Sequence, residues 1–176
     1  MIETEAAAAA PALDPAQFRQ SISHFATGIA VVSCLDDDGQ PQGMTVNSFT
    51  SVSLAPPSVL VSLKPGRTHR LVRRRGCYGV SVLAGDQEAW SRHFSGRPQP
   101  GVAPVWETRG PVPLLRGALA WFQCEVDGVL QVHDHTLFVA RVLACGHVGG
   151  EPLMYFASQY HRPHRPHRPH PAQETS

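Results

Sequence analysis

The segment 43–54 (GMTVNSFTSVSL) is rich in hydroxyl and amide side chains, including Thr45, Asn47, Ser48 and Ser51. An ordinary buried strand has little use for so many hydrogen-bonding groups, because each one must find a partner. The segment is either a half-exposed strand with a Ser/Thr face or a binding strip. As a binding strip, it suits a polar, planar ligand whose phosphate needs several donors.

A basic turn at residues 64–68 (KPGRT) places two cations and a hydroxyl before a predicted helix near residues 68–75. The N-terminus of a helix favours an anion, so this turn is a candidate phosphate site. By itself it could equally be a solvated basic turn. Its position soon after the polar strip favours the phosphate site.

The periodicity of the rest predicts a mainly β fold. A helix should begin at Asp14-Pro15 and end at Gly28, and short helices are expected near residues 68–75 and 86–94, with Asp86 as a cap. Strands are predicted at residues 29–35, 42–49, 58–63, 78–83, 118–126, 129–133 and 136–144. The Pro- and Gly-rich segment 96–113 is expected to be a long surface connection. Many short strands with few helices predict an antiparallel barrel.

The composition is that of one small domain. The chain has 176 residues, of which 42% are hydrophobic, and its net charge of +1 gives no general attraction to nucleic acid or membranes. The four cysteines are widely spaced in apolar stretches, which predicts buried, reduced thiols. With no signal-peptide pattern and no apolar run long enough to span a bilayer, a soluble cytoplasmic protein is expected. We predict an N-terminal tail at 1–13, a domain at 14–160 and a C-terminal tail at 161–176.

The polar strip, with the flanking residues 25–42 and 55–63, resembles the short-chain flavin reductase family. The similarity continues through Lys64, Arg67 and Thr68, then residues 79–83, 87–94, 134–138 and 152–155. It spans nearly all of residues 18–160. The resemblance implies an FMN-binding split β-barrel of Greek-key topology that forms a homodimer. It also implies an oxidoreductase that passes a hydride from NADH or NADPH to FMN or FAD and releases the reduced flavin to a partner flavin-dependent monooxygenase.

The resemblance also implies site residues. By position in the family pattern, the isoalloxazine and ribityl chain would lie along Thr45, Val46, Asn47 and Ser48, largely through backbone groups. The phosphate would lie among Ser51, Ser62, Lys64, Arg67 and Thr68. The nicotinamide would lie near Thr27, Gly28, Ile29, Tyr155 and His135, with His135 as the candidate catalytic residue.

Several residues depart from the family pattern. Val46 replaces a usual alanine, and His133 stands where the family commonly has glycine; Ser81 and Arg141 also differ. Two of these, Val46 and His133, keep open a non-catalytic flavin- or haem-binding protein on the same barrel. His133 and His135 could also form a paired-histidine metal site, although no further ligands are evident. The arginine run 73–75 could bind the additional phosphate of NADPH or be solvated.

The repeat at residues 161–170 (HRPHRPHRPH) has no counterpart in the family pattern. Its period of three matches polyproline II, in which the histidines would share one face. Such a face could bind Ni or Zn weakly, or the arginines could contact an oxygenase. A disordered tail is the simpler interpretation.

Overall fold

The computed structural model describes residues 13–98 and 100–163, which form three helices and twelve strands. The helices are α1 (Pro15–Ser23), α2 (Arg67–Arg75) and α3 (Glu88–Phe94). The strands are β1 (Thr27–Gly28), β2 (Ala30–Leu35), β3 (Pro41–Val46), β4 (Thr50–Leu54), β5 (Pro57–Leu63), β6 (Cys77–Val82), β7 (Trp106–Arg109), β8 (Val112–Leu115), β9 (Ala120–Val132), β10 (His135–His147), β11 (Met154–Phe156) and β12 (Gln159–His161). The predicted mainly β fold with a few short helices is confirmed.

The main sheet has seven antiparallel strands in the order β3-β2-β6-β9-β10-β5-β4. β1, β11 and β12 form a second sheet, and β7 pairs with β8. The hydroxyl of Ser48, just past the end of β3, donates to the carbonyl of Ser62 on β5 and accepts from its N–H, both at 3.0 Å. These two bonds tie the region beyond one edge strand to the far side of the main sheet.

β2 is buried on both faces, which explains its continuous apolar sequence. Ala30, Val32 and Cys34 face a core that also contains Tyr78 and Phe138. On the other face, Ile29 and Val31 pack in a second cluster with Leu83, Leu115 and Leu153. The two clusters fix the strand that lies next to β3.

β8 packs across β2 and β6 through buried hydroxyls. Ser33 and Ser81 are fully buried. Ser33 donates to the carbonyl of Pro113, and Ser81 accepts from the N–H of Leu115 at 2.9 Å. Ser81, one of the departures from the family pattern, therefore anchors β8.

Several element boundaries differ from the predicted ones because of long-range strand pairing. Asp14 caps α1 as predicted, but the helix ends at Ser23, with His24 as its C-cap, and not at Gly28. The reason is that Thr27 and Gly28 pair with β11. Phe18 and Ile22, predicted from their helical spacing, remain exposed.

Other corrections concern strands and caps. The predicted strands 118–126 and 129–133 are one strand, β9, because Asp127 lies in a bulge and not in a turn. The predicted strand 42–49 stops at Val46, and residues 50–54 form β4. Asp86 does not cap α3, which begins after Gln87. The predicted connection 96–113 contains β7, which is too short to detect from periodicity.

The predictions for the two termini and for the cysteines were confirmed only in part. His161, assigned to the C-terminal tail, pairs with Met154 at the end of β12. Residues 164–176 of that tail and 1–12 of the N-terminal tail lie outside the described residues. All four cysteines are free, but of the four predicted to be buried only Cys34 and Cys124 are, whereas Cys77 is half-buried and Cys145 is exposed. None of the described helices has both the length and the apolar character needed to cross a bilayer.

Candidate functional site

Two adjoining pockets form a groove beside β3. The cationic pocket, of about 610 Å³, is lined by Gln42, Gly43, Met44, Thr45, Val46, Asn47, Ser48, Ser62, Lys64, Arg67, Thr68, Phe94, Ser95, Gly96 and His135. The tyrosine pocket, of about 590 Å³, is lined by Ile29, Thr45, Val46, Asn47, Glu88, Ser91, Arg92, Ser95, Arg97, Tyr155, Ser158, Gln159 and Tyr160. Their shared wall is Thr45, Val46, Asn47 and Ser95. Two ligands bound in the two pockets would therefore meet at the end of β3.

A third pocket, which we call the Thr27 pocket, measures about 390 Å³ and also includes Asn47. It contains Thr27 and Gly28. The hydroxyl oxygen of Thr27 is buried and has no hydrogen-bond partner among the described residues. A Cβ on Gly28 would meet nothing within 4 Å. Both observations indicate space and an unused polar atom beside the groove.

Two hydroxyls of the polar strip, those of Thr45 and Ser48, make hydrogen bonds within the protein itself. Thr45 donates to the carbonyl of Ser91 on α3 at 2.7 Å, and Ser48 is bonded to Ser62. β3 is an edge strand of the main sheet, so one side of its backbone has no strand partner there. Recognition at this wall is therefore left mainly to backbone groups and to the exposed side chain of Asn47.

The start of α2 offers free amide donors to the cationic pocket. Its N-cap is Gly66, which supplies no side-chain cap, and the first backbone bond of the helix runs from the N–H of Arg70 to the carbonyl of Gly66 at 3.1 Å. The preceding N–H groups of the first turn, from Arg67 to His69, have no helical acceptor. Such a turn with Lys64 and Arg67 beside it can bind a phosphate.

Each cation of this pocket has an acidic neighbour. Arg67 lies 2.8 Å from Asp36, and Lys64 lies 3.6 Å from Asp134. The Arg67 and Lys64 side chains are 63% and 65% exposed, so these pairs orient the cations at little cost to an incoming anion. The N–H of Gln40 is the main cause that lowers the pKa of Asp36, with Arg67 adding to it.

His135 lines the cationic pocket and directly follows the turn at residues 133–134. Its Nδ1 lies 2.8 Å from a carboxylate oxygen of Asp134, and this contact is the main cause that lowers the pKa of Asp134. Among the described residues, none bonds to Nε2 of His135, which is therefore available to a ligand. His133 has a φ of 50° in the turn and does not share a strand face with His135, which corrects the prediction.

The tyrosine pocket contains the predicted residue Tyr155 together with Tyr160 and Arg92, which the sequence analysis missed. Tyr155 and Tyr160 make an edge contact at 5.3 Å, and the Tyr160 hydroxyl lies 2.9 Å from the Ser91 hydroxyl. Arg92 stacks over Tyr160 at 4.7 Å and is bonded twice to Glu88, at 2.9 and 2.7 Å. The i, i+4 spacing of Glu88 and Arg92 on a predicted helix was the available signal.

Most of the predicted site residues converge on the groove. The cationic pocket gathers all of the predicted phosphate residues except Ser51, together with the whole 45–48 strip and His135. Tyr155 lines the tyrosine pocket, opposite Thr27 in the β1–β11 pair. Ser51 does not join them: it is exposed on β4, opposite Val59.

Two other groups from the sequence lie elsewhere. Arg74 and Arg75 bond to Asp37 and to the carbonyl of Asp36, both at 2.6 Å, and neither lines the groove. Arg141 pairs with Glu125 on the neighbouring strand. No group of three or more metal-ligating side chains occurs among residues 13–98 and 100–163.

Comparison with known proteins places this chain in a family. Residues 22–164 match the family described as "Flavin reductase like domain". The chain belongs to this flavin reductase family. The resemblance drawn from the sequence is thereby confirmed.

Individual relatives are similar to this chain over most of their length. The NADH-dependent flavin reductase StyB of Pseudomonas fluorescens is 51% identical over 153 residues, which cover 85% of this chain and 90% of StyB. The structure of the styrene monooxygenase flavin reductase SMOB from Pseudomonas putida S12 superposes with a TM-score of 0.80 at 52% identity, covering 85% of this chain and 98% of SMOB.

A third relative was solved with ligands. The NADH:FAD oxidoreductase SgcE6 of Streptomyces globisporus C-1027, in complex with NAD and FAD fragments, superposes with a TM-score of 0.76 at 31% identity. The match covers 87% of this chain and 96% of SgcE6. These structural neighbours are flavin reductases, and the predicted split-barrel fold is confirmed.

Proposed function

We propose that this flavin reductase family member transfers a hydride from NADH to FMN or FAD and releases the reduced flavin. The observation that carries the proposal is the shared wall at Thr45, Val46 and Asn47, which brings the cationic and tyrosine pockets into contact. A flavin in one and a nicotinamide reaching from the other would meet there. Hydride transfer needs that face-to-face placement more than it needs a reactive side chain.

The cationic pocket fits a flavin phosphate. Its volume lies within the usual range of about 300–1,000 Å³ for small-molecule sites. Lys64, Arg67 and the hydroxyl of Thr68 would hold the phosphate at the free N–H groups of α2, while the backbone of residues 45–48 would orient the ring edge. When bound, the flavin supplies the redox chemistry by accepting the hydride.

The chain's own groups then do three things. Nε2 of His135, held through Nδ1 by Asp134, would bind a polar group of either ligand at the mouth of the pocket. Tyr155 and Tyr160 supply an aromatic wall for the donor. The Thr27 hydroxyl, which no described residue hydrogen-bonds, offers one further hydrogen bond beside the shared wall.

Release of the reduced flavin follows from the solvent exposure of the residues that would bind it. Asn47 is exposed, and both cations of the phosphate turn are largely exposed, so the binding contacts are weakened by solvent. A loosely held product suits a reductase that supplies a separate flavin-dependent monooxygenase. The relative SMOB, a styrene monooxygenase flavin reductase, supports such a partner.

The proposed assembly is a homodimer. Several large apolar side chains of the described structure are exposed, and Leu54 at the end of β4 reaches 90%. Leu130 on β9 is 61% exposed, and Phe18 and Ile22 give α1 an uncovered apolar side. A second copy of the chain would cover such surface. Sedimentation of the wild type and of Leu54→Asp would show a dimer and a weakened dimer, whereas a monomeric wild type would contradict the proposal.

We also propose a cytoplasmic location. Four free cysteines, including the exposed Cys145, suit a reducing compartment.

The test is a steady-state assay with purified protein. NADH oxidation should require added FMN or FAD, and the rate should be much lower with NADPH. Flavin binding without NADH or NADPH oxidation would refute the reductase proposal in favour of a non-catalytic flavin carrier.

A further inference from the structure

A chain of side-chain hydrogen bonds runs from buried His69 to the turn that precedes His135. Nε2 of His69 lies 2.8 Å from the hydroxyl oxygen of Thr136. That hydroxyl donates to Oε1 of Gln131 at 2.8 Å, and Nε2 of Gln131 donates to the carbonyl of His133 at 2.9 Å. The chain therefore connects α2 to the turn between β9 and β10.

The direction of these bonds is fixed. The Thr136 hydroxyl has a single hydrogen, and Gln131 accepts it, so His69 must donate from Nε2. Nδ1 of His69 is buried without a hydrogen-bond partner among residues 13–98 and 100–163, and burial, helped by Arg73 and Arg70, lowers the pKa of His69. A neutral His69 with its hydrogen on Nε2 satisfies all three observations.

The series of hydrogen bonds joins two walls of the cationic pocket. His69 directly follows Thr68 in the first turn of α2, and Thr136 directly follows His135 on β10. His69 is 7% exposed and Thr136 is fully buried, so neither residue lines the pocket itself. Each lies one residue behind a residue that does.

The turn before His135 is held from two sides. His133 has a φ of 50°, in the left-handed region that non-glycine residues adopt infrequently, although histidine is enriched there together with asparagine and aspartate. The bond from Gln131 to the His133 carbonyl holds this backbone in place. On the other side, Asp134 contacts both Lys64 and His135.

We propose that His69 is a positioning residue which, through Thr136 and Gln131, fixes the turn at residues 133–134 and so places His135 against the N-terminus of α2. The proposal depends on the proposed function in one respect, the contribution of His135 to flavin reduction. A purely structural role is the alternative, because the His69 ring also packs against Phe138 at 5.5 Å.

The experiment uses matched substitutions at both ends of the first bond. His69→Phe keeps an aromatic ring against Phe138 and removes the donor, whereas His69→Gln retains an N–H in a similar place. Thr136→Val removes the hydroxyl, and Thr136→Ser keeps it. Thermal unfolding establishes that each variant is folded, and single-turnover flavin reduction by NADH without oxygen gives the rate.

We expect His69→Phe and Thr136→Val to slow reduction about tenfold, since a displacement of about 1 Å can cost about a hundredfold. His69→Gln and Thr136→Ser should stay near the wild-type rate. In a His135→Ala background, His69→Phe should cause no additional loss, because its effect passes through His135.

Several results would overturn the proposal. They are a normal rate for folded His69→Phe, failure of His69→Gln to restore the rate, or an undiminished effect of His69→Phe in the His135→Ala background. A normal rate for His135→Ala itself would also overturn it, while leaving the reductase function intact. A wild-type protein that reduces no flavin would refute the proposed function instead.

Discussion

The region where β8 packs on β2 and β6 and the groove beside β3 use the same residue types for opposite purposes. Around β8, glycine and serine close the structure: a Cβ on Gly79 would lie 2.6 Å from the Pro113 carbonyl, and Ser81 accepts from Leu115. Beside the groove, within the part of the chain that the structure describes, a Cβ on Gly28 would meet nothing within 4 Å and the hydroxyl of Thr27 has no hydrogen-bond partner. Close packing around Gly79 and the paired hydroxyls of Ser33 and Ser81 thus distinguish the β8 region from the groove, where Gly28 has open space around it.

The largest expected effect is on stability in the packed region. Gly79→Ala would force a methyl group against the Pro113 backbone and the Ser33 hydroxyl, and overpacking of this kind costs about 2–3 kcal/mol. Denaturant unfolding followed by circular dichroism measures the change. Gly28→Ala is the matched control and should unfold like the wild type, so equal stability of the two variants would contradict the contrast.

A smaller effect is expected at the phosphate turn. Arg67→Gln should raise the KM for FMN about tenfold, because a hydrogen bond to a charged group is worth about 1.5 kcal/mol. The KM for riboflavin, which has no phosphate, should change little. Arg74→Gln is the control, because Arg74 belongs to the same helix but pairs with Asp37 outside the groove. Equal effects of Arg67→Gln on both flavins would show that no phosphate binds there.

A still smaller effect should appear at Gly28. Gly28→Ala adds a methyl group to the open Thr27 pocket and should raise the KM for NADH about threefold, a loss of less than about 1 kcal/mol. Its unfolding temperature should not change, so the effect would report on ligand binding alone. Unaltered kinetics with both NADH and flavin would remove the Thr27 pocket from the site.

The smallest effect concerns the pH dependence of the β2–β3 hairpin. The native pKa of Asp36 is lowered, chiefly by the N–H of Gln40, so the carboxylate stabilises the fold at any pH above its unfolded pKa of about 4. That stability is lost as the pH falls through the lower native pKa. Asp36→Asn should be less stable at neutral pH and should lose less stability on acidification. If the unfolding temperatures of the wild type and of Asp36→Asn changed with pH in parallel, the result would contradict this expectation.

The fold was predictable where local patterns and burial agreed. The apolar run of β2 and the cap at Asp14 were sufficient signals for their elements. Gly28 looked like a helix terminator because its pairing with Met154 is distant in sequence. Residues 127 and 128 were left between two predicted strands because a bulge depends on register with Val139 and Ala140, which the local sequence does not contain.

The sequence predicted which residues line the site, but not which of their atoms are free to bind a ligand. The polar strip and the Lys64 turn do reach one pocket, but the Thr45 hydroxyl bonds to α3 and leaves recognition to the backbone. Ser51 was misplaced because the chain turns between β3 and β4. Arg92 was missed because its place in the tyrosine pocket depends on stacking over Tyr160, which comes from a distant part of the sequence.

Hydride transfer across the shared wall of the groove is tested most directly by a single turnover without oxygen. NADH carrying deuterium at the transferred position is mixed with the protein and FMN, and loss of the flavin's visible absorbance is followed. We predict bleaching that requires the protein and is slower with deuterated than with ordinary NADH. FMN that binds to the protein but is not bleached by NADH would contradict the proposed function.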